Sequence, residues 1–162
     1  MSYLGASGQV SAVYRPVSDI APLDTVPAER RLTSVRFVAP GSVTNGEFGL
    51  FRWEMKPHAG GPAPHFHRAF SESFYILDGT VRLYDGERWV EATAGDFLYV
   101  PQGGVHAFQN DSDADADMLI LFSPGAPRER YFEELAEIAA SGRQLDAKER
   151  TALYAKHDQF MV

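Results

Sequence analysis

The chain reads as a small all-β barrel or sandwich, with an extended arm before it and helices after it. Three observations predict this. Strand-like runs recur at close intervals through the middle of the sequence, turn dipeptides stand between them, and the apolar periodicity changes from two to helical spacing after residue 125. The 162 residues suffice for one well-buried core and leave little for a second domain.

The alternation is clearest from Glu47 to Lys56. Phe51, Trp53 and Met55 fall on one face there, and Arg52, Glu54 and Lys56 on the other, as in a half-buried strand. Further β-rich runs are Arg31–Val38, Ser73–Leu77, Thr80–Tyr84, Arg88–Glu91, Phe97–Val100, Val105–Asn110 and Asp117–Phe122. Asn45-Gly46, Asp78-Gly79 and Asp85-Gly86 are hairpin signals. Residues 1–30 hold Pro16, Pro22 and Pro27 with little periodicity and read as an extended arm; residues 31–125 form the barrel. The acidic stretch from Asn110 to Asp115 is a loop.

Residues 126–162 turn helical. Tyr131, Phe132, Leu135, Ile138 and Ala139 recur at helical spacing, and Gly142 follows as a stop. Asp146 with Glu149 resembles a capping box that opens a second short helix, whose apolar residues Leu153 and Tyr154 are few. Both helices are expected to pack on the outside of the barrel, the competing readings being a dimer contact or a lid over its mouth.

Composition excludes several classes. A formal charge of −7 without a basic patch argues against nucleic acid as partner. No apolar run approaches the roughly 18 residues of a membrane span. The N-terminus lacks the basic start and apolar core of a signal peptide, so a cytoplasmic address is expected by elimination. There is no cysteine, which excludes thiolate metal sites.

The chemistry concentrates in four residues, His65, His67, Glu72 and His106. His65 and His67 are two apart, so on a strand they share a face, whereas a helix would splay them by roughly 200°. Imidazoles with a carboxylate suit one borderline divalent metal: iron, manganese, nickel, cobalt, copper or zinc. Three neutral imidazoles and a carboxylate leave positions open for substrate, the mark of a catalytic rather than a closed site. His58 and His157 are read as structural.

The two blocks that carry these residues resemble the cupin superfamily. The run from Gly95 through Pro101, Gly103 and His106 to Asn110 matches the second cupin motif, G-x5-P-x-G-x2-H-x3-N. His65 to Gly79 matches the H-x-H-x4-E-x6-G core of the first. One departure is Ala59, where that motif begins with a glycine, so the rim of the pocket is expected to be set differently, with Gly60 and Gly61 alongside. The resemblance implies a single-domain jelly-roll β-barrel, a metal held by His65, His67, Glu72 and His106, and a homodimer paired through barrel edges and swapped N-terminal strands.

Strand parity describes the pocket. If Glu72 points inward, Phe74 and Ile76 share its face; His106 carries Phe108 and Asn110 with it, and Trp53 stands on a neighbouring strand. Trp53, Phe74, Ile76 and Phe108 are therefore the expected substrate-pocket residues, with ordinary barrel core as the alternative reading of each. The interior is expected to be almost free of Lys, Arg and Ser, which favours a small apolar or aromatic substrate. The H-x-H-x4-E spacing looks like that of quercetinase-type cupin dioxygenases, in which the ligand glutamate also takes the substrate's hydroxyl proton. On that resemblance Glu72 is both ligand and catalytic base, and the chain is a dioxygenase of a flavonol-like or other enol substrate. A metal-dependent isomerase, lyase or cyclase without dioxygen is the alternative, and a non-enzymatic binding module the third reading.

Overall fold

The computed structural model describes residues 4–8, 12–24 and 33–162. Pro27 of the arm, and Arg31 and Leu32 at the head of the first expected long strand, lie outside the described residues. In chain order the strands are β1 (Pro22–Asp24), β2 (Thr33–Ala39), β3 (Gly49–Met55), β4 (His65–Phe66), β5 (Ser71–Asp78), β6 (Thr80–Tyr84), β7 (Trp89–Thr93), β8 (Phe97–Val100), β9 (Ala107–Gln109) and β10 (Ala116–Ser123). Helices α1 (Arg128–Ala140) and α2 (Ala147–Lys156) follow, and a last strand, β11 (Phe160–Met161), closes the chain.

Two sheets face each other. One has the order β1-β2-β3-β10-β5-β8 and the other β7-β6-β9, while β4 pairs with β11. A bridge between His65 and His106 joins that short pair to the second sheet, with each residue's N–H donating to the other's carbonyl at 2.9–3.0 Å. The pairings among these strands are antiparallel. Strand β3 follows its sequence pattern: Phe51, Trp53 and Met55 are buried and Arg52 is exposed. Strand β10 repeats it with Ala116, Met118, Ile120 and Phe122 inward. Rings then bind the sheets across the interior, Trp53 and Phe74 each lying 5.6 Å from Phe108. Such pairs are worth about 0.5–1.5 kcal/mol each beyond the area they bury. The result is the jelly-roll expected of the sequence.

Asp85-Gly86 closes the β6–β7 hairpin, with Gly86 at φ 99° and the Asp85 amide donating to the Arg88 carbonyl. Asp78-Gly79 does something else. Strands β5 and β6 belong to different sheets, so this dipeptide turns the corner between them and makes no hairpin. Gly79 sits at φ 73°, and a Cβ there would lie 2.3 Å from the Asp115 carbonyl oxygen. The corner is tight because the loop before β10 crosses directly over it.

The helices depart from expectation. The capping box is formed: the Glu149 amide donates to the Asp146 carboxylate at 2.8 Å and the Asp146 amide to Glu149 Oε2 at 3.0 Å. Helix α1, however, covers one end of the barrel instead of lying on its flank. Phe132 packs 5.2 Å from Trp53 and 5.4 Å from Phe51, ring to ring. Strand β11, absent from the sequence reading because two residues carry no periodicity, returns the chain to β4, Phe160 stacking on Phe66. No helix of the described residues is long and apolar enough to cross a membrane.

The corner generates a prediction. Gly79→Ala combines a left-handed φ with a backbone clash and is expected to cost at least about 1–3 kcal/mol. Gly46→Ala, at φ 77° in open space, carries the φ penalty alone, about 1 kcal/mol. Chemical denaturation of both variants measures the difference; equal costs would show that the corner yields.

Candidate metal centre

Three separate pieces of chain deliver the four candidate ligands. His65 and His67 alternate inward from β4, Glu72 points inward from β5, and His106 lies just before β9 across the bridge from His65. All four are buried, and one ligand atom from each lies within 4.8 Å of the others. Glu72 Oε2 stands 3.0 Å from His106 Nε2 and 3.1 Å from His67 Nε2.

The outer nitrogens decide the tautomers. His65 Nδ1 meets the Ala63 carbonyl at 2.9 Å, His67 Nδ1 the Asp158 carbonyl at 2.6 Å, and His106 Nδ1 the Gly104 carbonyl at 3.1 Å. A carbonyl only accepts, so each Nδ1 carries the proton and donates it. A neutral ring then offers a bare Nε2 lone pair to the interior. The carboxylate these nitrogens face is acceptor-only as well, and His67 Nε2 has no hydrogen-bond partner. Acceptors facing one another in a buried space need a cation or a shared proton among them. This donor set could hold a divalent metal, with the carbonyls orienting each ring as second partners do in metal sites.

The electrostatics agree. Burial, reinforced by His106, pushes the His65 imidazole down to about 3, keeping it neutral and able to ligate. Burial alone would raise the Glu72 carboxyl, but the facing His106 and His67 outweigh it and hold it well below the usual carboxylate range. Burial opposes charge on His106, yet the facing Glu72 outweighs it and raises its pKa.

A cavity of about 300 Å³ opens beside the cluster, with His65 and Glu72 in its wall. Trp53 and Phe108 line it as expected from the sequence. Phe74 and Ile76 do not: both are fully buried in the core beneath, Phe74 packed 5.8 Å from the His106 ring. The rim has its own answer to Ala59. A Cβ at Gly61 would lie 1.9 Å from the Phe108 carbonyl oxygen, so a glycine is needed two residues later, while the Ala59 carbonyl accepts from the Asn110 amide at 2.9 Å.

The sequence offers a lid over the mouth only as a competing reading of the two helices. Arg128, Tyr131, Phe132 and Leu135 of α1, Tyr154 of α2 and Gln159 complete the lining. The helices therefore form a lid, and Arg128 overturns the expectation of an interior free of basic groups. Its sequence signal was faint: an arginine opens α1, at the helix end where cations are disfavoured. The remaining histidines each face a carboxylate. His58 is exposed and pairs with Asp113 at 2.9 Å; His157 is held by Glu134 at 2.8 Å.

The tail also touches the cluster. Besides accepting from His67, Asp158 takes the Arg68 and Ala69 amides on its carboxylate at 2.9 and 2.7 Å, while held at φ 56°.

Comparison with known proteins agrees with this architecture. Residues 51–122 match the cupin domain family. The chain is 32% identical over 102 residues to quercetin 2,3-dioxygenase of Bacillus subtilis (strain 168), a match spanning 63% of this chain but 29% of that protein. A solved structure described as a predicted oxalate decarboxylase of Thermotoga maritima superposes with a TM-score of 0.59 at 19% identity, over 69% of this chain and 99% of that one. The polyketide cyclase RemF of Streptomyces resistomycificus does so with 0.56 at 22% identity, over 71% and 80%. At these identities the structural likenesses establish the fold.

The hold of the tail on His67 is testable. Asp158→Ala removes the carboxylate and disfavours the left-handed φ, so metal affinity is expected to fall roughly ten- to a hundredfold, while Asp158→Asn, which tolerates that φ, recovers most of it. Competition with a chromophoric chelator reads both; unchanged affinity in the alanine variant would separate the tail from the site.

Proposed function

We propose that this chain, a member of the cupin superfamily, is a metal-dependent enzyme acting on a small aromatic or enol substrate, and that its reaction is a dioxygenation of the flavonol-like kind. One observation carries the reading: His65 and Glu72 belong both to the candidate ligand set and to the wall of an aromatic-lined cavity. A molecule in that cavity meets the ligand set directly. The similarity to quercetin 2,3-dioxygenase supports the choice of reaction, although the match takes in under a third of that protein.

His65, His67, His106 and Glu72 would hold the metal, which when bound supplies Lewis-acid and redox chemistry at the cavity wall. The side chains of the chain do the rest. Glu72 is kept ionised by the imidazoles it faces, so it can accept the proton of a substrate hydroxyl placed beside it. Trp53, Phe108 and Phe132 offer flat faces that align an unsaturated ring and exclude water. Buried Trp53 Nε1 has no partner, leaving a donor beside the cavity.

The test joins elemental analysis with oxygen uptake on a panel of flavonols and other enols. His106→Ala is expected to lose most of its metal and stay folded. Glu72→Gln should retain a larger share of metal than of turnover, turnover falling roughly 10²–10⁴-fold. Equal losses would make Glu72 a ligand alone. Turnover of an enol without oxygen consumption would replace dioxygenation with Lewis-acid isomerase, lyase or cyclase chemistry. No turnover by metal-loaded protein would leave a small-molecule-binding module.

A further inference from the structure

We propose that Arg128 binds a carboxylate group of the substrate inside the cavity, which makes it a specificity-determining residue for an anionic aromatic or unsaturated acid. This deepens the function proposed above and rests on it only in taking the cavity as the substrate site.

Arg128 is 5% exposed and lines the same cavity as His65 and Glu72. An arginine is almost never buried without a carboxylate partner. Here both of its hydrogen bonds go to neutral acceptors: Nη1 donates to the His157 carbonyl at 2.9 Å, and Nη2 reaches Gln159 Oε1 at a loose 3.5 Å. Nε–H, buried, has no hydrogen-bond partner among the described residues. The Nε–Nη2 edge is the side of a guanidinium that takes both oxygens of a carboxylate in parallel, and it is the side left weakly used.

The surroundings stabilise a cation without neutralising it. Arg128 lies 4.3 Å from the centre of the Tyr131 ring, 5.3 Å from Phe122 and 5.5 Å from both Phe70 and Phe132. Ring faces attract a guanidinium but bring no counter-charge. The two carboxylates whose charge reaches it are otherwise engaged. Asp158 is taken by the Arg68 and Ala69 amides, and Glu72 faces the imidazoles. With a divalent cation in the cluster, Glu72 would be neutralised and the cavity left with uncompensated positive charge from cation and arginine together. A monoanionic or dianionic substrate removes it. Helix stability gives no account of the residue either, because a cation at the first position of α1 opposes the helix dipole.

The experiment is a binding titration on zinc-loaded protein, which needs no dioxygen. The probes are shape-matched pairs, benzoate with benzamide and 2-naphthoate with 2-naphthamide, followed by calorimetry. Wild type is expected to bind each acid roughly ten- to a hundredfold tighter than its amide. Arg128→Gln should reduce that preference to within about threefold with zinc content and amide affinity unchanged, and Arg128→Lys should keep part of it. Equal affinity for acid and amide in wild type overturns the proposal, and this arm does not depend on any variant folding. A preference that survives in Arg128→Gln also overturns it, by assigning the anion to the zinc. The two proposals fail separately. Acid preference without oxygen uptake sinks only the dioxygenase, and oxygen uptake on neutral enols without acid preference sinks only the role of Arg128.

Discussion

A carboxylate buried among three imidazoles is the constraint on which the rest of this molecule depends. An ionised Glu72 buried in the barrel costs several kcal/mol to desolvate unless opposite charge stands against it. The facing rings hold their protons outward, on Nδ1, for backbone carbonyls. The interior is therefore a set of electron pairs aimed at one point. The segment before β4, the corner before β9 and the turn after α2 each place one of those carbonyls, so much of the backbone around the cluster has the orientation of an imidazole as its consequence.

The C-terminal segment ties the roof to the floor. His157 packs its ring 5.1 Å from that of Tyr131, pairs with Glu134 and lends its carbonyl to Arg128, all on α1. The next residue, Asp158, accepts from His67 and from the amides that follow it. The Val162 amide then donates to the Pro64 carbonyl beside His65. Arg128 of α1 is thus hydrogen-bonded to the residue next to the one that holds His67, a candidate ligand.

Fold and reaction separate here, as they do in many large superfamilies. Structures described as a predicted oxalate decarboxylase and a polyketide cyclase share this fold at identities near 20%, and the fold alone distinguishes neither chemistry. The difference lies in what surrounds the open side, and in this chain that is an aromatic roof with one arginine in it.

The longer strands, the hairpin at Asp85-Gly86 and both helices with the capping box follow from the sequence by itself, because each rests on local periodicity or on a turn residue's φ, and the four-residue cluster was legible through the two motif blocks that carry it. The pocket was half legible for the same reason: parity says which face Phe74 and Ile76 share with Glu72, but not how deep along the barrel each lies. Only the tertiary structure decided that Asp78-Gly79 turns between sheets, that Phe160 and Met161 pair with β4, and that α1 caps the barrel and brings Arg128 into it. Those outcomes depend on contacts between residues far apart in the chain, such as Phe132 on Trp53 and Asp158 on His67, and no local pattern encodes where a helix with one apolar stripe will find the surface that buries it.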